Sequence, residues 1–129
     1  MKHALCAMAL AVAALVVTAT AVAVPPSAGA TYRGNSSGQR NSLPLPIVLK
    51  VAGDGKSLTF TVRCRFNGKR WRFSLEGVKV NAQGGFSKSG KSQGVRLKVS
   101  GKFVSARKAS GTFDTGACFA GDATFTARR

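Results

Sequence analysis

The stretch 58–66, LTFTVRCRF, runs directly into Asn67-Gly68 and then into Lys69-Arg70-Trp71-Arg72-Phe73, and it constrains the fold more than any other part of the chain. Leu58, Phe60, Val62, Cys64 and Phe66 share one parity, while Thr59, Thr61, Arg63 and Arg65 share the other. That is the alternation of a strand with one buried and one wet face. Asn-Gly favours a two-residue type I′ turn, because both central residues need positive φ, which asparagine tolerates and glycine adopts freely. A two-residue loop sets the register. Cys64 falls opposite Trp71, Val62 opposite Phe73 and Phe60 opposite Leu75, so the apolar faces of the two strands coincide. A slip of one residue would turn Trp71 and Phe73 to the polar side.

The same register puts Arg63 opposite Arg72 and Arg65 opposite Arg70, with Lys69 at the turn. Directly opposed like charges destabilise a sheet by up to about 1 kcal/mol per pair. Two readings follow. In one, the long side chains splay into water, salt screens them over about 8 Å, and the charge keeps a small β-domain soluble. In the other, the row is an anion site, since the planar guanidinium fork matches carboxylate, phosphate and sulfate, and a bound polyanion relieves the repulsion.

The rest of the chain repeats the strand pattern. Ile47, Leu49 and Val51 alternate before a Gly53-Asp54-Gly55 turn; Val78 and Val80 begin a further short strand; 81–85 is a turn. Val95, Leu97 and Val99 alternate with Arg96 and Lys98, 103–113 reads as a hairpin around Ala106-Arg107-Lys108, and 123–127 is a last strand. Segments 36–42 and 87–94, rich in Ser, Gly, Asn and Gln, read as exposed loops. Seven to nine short strands imply one all-β domain, either an antiparallel β-sandwich or a meandering β-barrel. In an immunoglobulin domain the tryptophan strand lies in the sheet opposite the first cysteine strand, whereas a tight Asn-Gly turn makes the strands of Cys64 and Trp71 neighbours. Trp71 is therefore expected in the core, beside Cys64.

At the N-terminus, Lys2 precedes the apolar, small-residue stretch 4–24, and Pro25-Pro26 leads to Ala28-Gly29-Ala30, an A-x-A cleavage match. The expected organisation is a cleaved signal peptide over 1–30 and a secreted domain over 31–129. Ala21-Val22-Ala23 is a second match. The apolar length raises an uncleaved membrane anchor as the alternative, opposed by the basic chain that would follow it on the outer side. Cys6 leaves with the signal, so Cys64 and Cys118 remain, and in an oxidising compartment they are expected to pair. Closing that loop of about 55 residues contributes about 4 kcal/mol in the chain-entropy model.

Lys and Arg number 20 against 4 Asp and Glu, a formal net charge of +16 that falls by one when Lys2 is removed. The single histidine, His3, leaves with the signal, so neither a Ser-His-Asp nor a Cys-His arrangement is available. Asp54, Glu76, Asp114 and Asp122 all lie beside or near glycines, where turn formation is the ordinary role of a carboxylate. No enzyme, metal, cofactor or small-molecule substrate is expected. The expected function is binding of anionic extracellular or cell-envelope polymers, such as acidic polysaccharides or wall polymers, through Arg63, Arg65, Lys69, Arg70 and Arg72. Anionic membrane surfaces offer the same chemistry. Nucleic acid suits the charge, but export separates the protein from genomic DNA, and Phe60, Phe66, Trp71 and Phe73 are committed to the apolar face, so that binding is expected to be incidental. The alternative is a structural or accessory envelope protein without a dedicated ligand site, retained at an anionic wall by charge, with a sheet edge used in assembly.

At Tyr32-Arg33-Gly34, Phe60-Thr61-Val62-Arg63-Cys64, Val99-Ser100-Gly101-Lys102-Phe103, Gly111-Thr112-Phe113 and Phe125-Thr126-Ala127-Arg128-Arg129, the chain resembles small secreted β-rich proteins of actinobacterial type. The resemblance implies export, two cysteines and an all-β fold, and it carries over no catalytic residue.

Overall fold

The computed structural model of the chain describes residues 24–37, 44–118 and 123–129, with Phe66 described through its backbone alone. Residues 1–23, with Cys6 and Ala21-Val22-Ala23, lie outside the described residues, as do Asp122 and most of 36–42. Both the signal and the anchor expectations therefore fall largely outside them.

Alternating residues form β1 (Thr31–Ser36), β2 (Pro46–Val51), β3 (Ser57–Phe66), β4 (Lys69–Lys79), β5 (Gly85–Ser92), β6 (Val95–Ser105), β7 (Lys108–Thr115) and β8 (Ala123–Arg128). They make one antiparallel sheet in the order β4-β3-β2-β1-β8-β7-β6-β5. Six of the pairings join strands consecutive in the chain, and β1–β8, with Gly34 opposite Ala127, joins its two ends. The sheet curls until β4 and β5 meet, so the fold is a nearly closed meander barrel, the second of the two expected architectures. Asn67 (φ 50°) and Gly68 (φ 73°) adopt the left-handed conformation that the expected turn requires. The β3–β4 register is the expected one: Cys64 faces Trp71, Val62 faces Phe73 and Phe60 faces Leu75.

The β4–β5 seam has a different chemistry from the other junctions. At its base Val80 and Phe86 form a single bridge. Farther along, side chains of β5 and the following turn bond the free backbone of β4: Lys88 Nζ donates to Glu76 O (2.6 Å), Ser92 Oγ accepts from Ser74 N (3.0 Å), and Gln93 Nε2 donates to Arg72 O (2.6 Å). Leu75 fills the place of the missing side chain at Gly90, where a Cβ would lie 2.9 Å from its Cδ2.

The interior is filled rather than hollow. Phe60, Phe113 and Phe125 surround one point with ring centroids 5.6–6.2 Å apart, and Phe103 contacts Tyr32 at 5.0 Å and Phe86 at 5.5 Å. Alanines 109, 123 and 127, also fully buried, make room for these rings, the large-and-small complementarity of a small barrel. Across one mouth, Cys64 of β3 is bonded to Cys118 beyond β7, four places away in the sheet order, with Cα atoms 6.1 Å apart. The opposite mouth is closed by residues 24–30. Pro26 is buried there, Val24 N donates to Phe103 O (3.1 Å), Gly29 N to Ala52 O (3.0 Å), and Ser27 N to the Tyr32 hydroxyl (3.1 Å).

Four expectations need correction. Val78 does not begin a new strand but belongs to β4; pairing steps from Phe60–Leu75 to Leu58–Val78 across a bulge with Gly77 at φ 62°, and the inserted residue switches the buried parity from odd to even. Segment 87–94 is mostly strand, because β5 pairs with β6 from Gly85 to Ser92. Its polarity hid it: after Phe86 the inward positions Lys88 and Ser92 bond the edge of β4 instead of packing in the core. Asp114 lies within β7 opposite Lys98, and Glu76 within β4 beside the bulge, so neither sits in a turn. Trp71 is half-buried at the edge of the core, its ring stacked on Phe73 (6.1 Å, 7° between planes).

Replacing Cys64 and Cys118 together by Ala is expected to lower the unfolding free energy by about 2–4 kcal/mol, measured by urea denaturation under non-reducing conditions. The same loss is expected on reducing the parent protein.

Candidate polyanion-binding surface

The parity that sends Cys64 and Phe73 inward sends the arginines outward. Arg63 stands opposite Arg72 and Arg65 opposite Arg70, and all four, with Lys69, are exposed. The tight turn keeps β3 and β4 in register to their tips, so the two pairs and the lysine form a block on one rigid hairpin. Its flank is anchored: the Gln93 amide holds the Arg72 carbonyl, and the next outward pair, Thr61 and Ser74, are joined through their hydroxyls at 3.1 Å. The same β5–β6 turn carries a further opposed pair, Lys91 and Arg96, both exposed.

Carboxylates are placed elsewhere among the described residues. Asp54 Oδ1 accepts from Lys56 N (2.9 Å) inside the β2–β3 turn, Asp114 faces Lys98 across β6–β7, and exposed Glu76 lies beyond Ser74 on β4. None occupies a register position next to the arginine pairs.

A second cationic group escaped the sequence reading. Arg128 of β8 stands opposite Arg33 of β1 on one side and Lys108 of β7 on the other. Arg129 N donates to Arg107 O (2.9 Å), which brings those two residues alongside. Arg33, Arg107, Arg128 and Arg129 are exposed, and Lys108 is half-buried. This group is centred on β8, three places from β3 in the sheet order, and lies toward the opposite mouth of the barrel. The dipeptides Arg107-Lys108 and Arg128-Arg129 were its visible traces, but only the β1–β8 and β7–β8 pairings bring them together with Arg33.

Chemistry beyond charge is sparse. Among the described residues no group of three His, Cys, Asp or Glu side chains is placed to hold a metal. The Tyr32 hydroxyl is engaged inside the fold, donating to Ala106 O (2.5 Å) and accepting from Ser27 N. An open depression of about 580 Å³ at the β4–β5 turn is lined by Lys79, Val80, Asn81, Gly85, Phe86, Ser87 and Gly101, of which Lys79 alone is charged. No family model, curated protein or solved structure matches the chain.

Replacing Arg65 and Arg72 by Thr removes one member of each opposed pair and leaves a good strand former. Stability at low ionic strength is expected to rise by about 1 kcal/mol, and the gain to shrink in 1 M salt, where the screening length falls to about 3 Å. Urea unfolding at the two salt concentrations checks both parts.

Proposed function

We propose that the protein is a secreted, non-enzymatic binder of linear anionic polymers of the extracellular space or cell envelope, with Arg63, Arg65, Arg70, Arg72 and Lys69 as its principal contact. The observation that carries this reading is the pair of opposed, exposed arginine pairs on one hairpin. Holding like charges together costs stability, and a chain of carboxylates or phosphodiesters is the ligand that reverses that cost. Guanidinium forks grip such groups in two-point contacts that lysines do not reproduce. The Arg33–Arg128–Lys108 group offers a second foothold for the same polymer or for another strand of it. The Cys64–Cys118 bond supports export, because such bonds persist in oxidising compartments.

Charge alone, as in the accessory-protein reading, would also retain the molecule at an anionic wall, so the test holds net charge equal. In one variant Arg63, Arg65, Arg70 and Arg72 become Gln; in the control, Lys50, Lys56, Lys98 and Lys102, all exposed, become Gln. Calorimetric titration with polygalacturonate and with a glycerol-phosphate polymer is expected to show the first variant weaker than the control by on the order of tenfold. Its affinity should also depend less steeply on salt, because fewer counterions are displaced. Equal losses in the two variants would leave retention by total charge as the function. Tighter binding to duplex DNA or anionic vesicles than to either polymer would reject the polymer assignment.

A further inference from the structure

The closing of the mouth opposite the disulfide by residues 24–30 bears on where an exported chain is cut. We propose that the precursor is processed after Ala23 and not after Ala30, so that the mature protein begins at Val24 and keeps 24–30 as a built-in plug. The inference rests on the export reading but is independent of what the arginine surface binds.

The plug is tied to the barrel at every level. Val24 N donates to the carbonyl of fully buried Phe103, Ser27 N to the Tyr32 hydroxyl, Ser27 Oγ to Ala106 O (3.3 Å), and Gly29 N to Ala52 O. Ala30 O accepts from the amide of buried Val51 (2.9 Å) and continues the β1–β2 ladder by one bond. Cutting after Ala30 would remove all of these bonds, together with the buried Pro26.

The domain is in turn shaped around the plug. Gly84 has φ 81°, and a Cβ there would run into the Val24 carbonyl oxygen, so the β4–β5 turn leaves room for a residue that a cut after Ala30 would discard. The small residues of Ala28-Gly29-Ala30 have structural reasons of their own: Gly29 turns the chain at φ 71°, and Ala30 packs partly buried against the core. Ala21-Val22-Ala23 has the small residues at the third and first positions before the cut that an export endopeptidase reads. Hydrolysis of the Ala23–Val24 peptide bond adds hydroxide to the Ala23 carbonyl carbon and a proton to the Val24 nitrogen. The new α-amino group still donates to Phe103 O.

The full chain is expressed in a bacterium that exports it, and the released protein is read by intact mass and N-terminal sequencing. A mature chain starting at Val24 is expected; a start at Thr31, or any start inside 25–31, overturns the proposal. Two substitutions at the third position before each candidate cut separate them further. Ala21→Asp is expected to accumulate precursor, whereas Ala28→Asp, at an exposed position, is expected to be processed normally; the reverse pattern overturns the proposal. Pro26→Asp in the full chain tests retention of the plug. The Tm of the released protein should fall by about 5 °C or more if the plug belongs to the mature fold, and an unchanged Tm overturns it.

Discussion

Pairing of β1 with β8 is the contact on which the rest of the architecture depends. Strands β1–β4 form one four-stranded meander and β5–β8 another, each held by local turns and each apolar on one face. Neither buries that face alone. Joining Gly34 to Ala127 at the centre of the sheet order makes a single sheet wide enough to roll up, and each half then covers the other. Approach here is close: a Cβ at Gly34 would run into the carbonyl of Thr126. Glycine at this position is thus a condition of closure. Such a contact between chain ends carries a large loop entropy before it brings any burial. The Cys64–Cys118 bond lowers that cost, because it joins the two halves across one mouth.

Closure explains how so basic a chain folds at all. A filled barrel has one inside and one outside, and strict alternation gives the core to Tyr32, Phe60, Phe73, Phe103 and Phe113 while the cations take the water-facing parity. Lys88 is the instructive exception, since it stands on the inward parity of β5. The barrel accommodates it at the incomplete seam, where its ammonium bonds Glu76 O and serves the edge of β4 in place of a ladder bond. Both open edges are thereby turned toward each other and partly satisfied, which limits edge-to-edge pairing with other chains.

How much could be read in advance depended on how local the determining contacts are. The β3–β4 hairpin, its register and the arginine block were legible because Asn67-Gly68 sets the pairing within a few residues and parity does the rest. The bulge at Gly77 was illegible for a related reason, because one inserted residue reverses parity and makes a continuous strand look like two. Strand β5 was missed because its inward side chains face another strand's backbone, not the core, so it lacks apolar alternation. The Arg33–Arg128–Lys108 group was missed because its members come from three strands, and only the pairing of the chain ends brings Arg33 beside the other two.

The sequence by itself determined an all-β chain, its disulfide partners, the turn at Asn67-Gly68 and which side of each alternating strand would be dry. These follow from the two-residue period of a strand, the φ preferences of Asn and Gly, and a cysteine count that leaves a single pair once Cys6 is set aside. Only the tertiary structure decided between sandwich and barrel, made a strand of β5, assembled the second cationic group and placed residues 24–30 beneath the core. Each of those outcomes depends on contacts between segments remote in the chain, whose energies exist only once the sheet has curled far enough to bring them together.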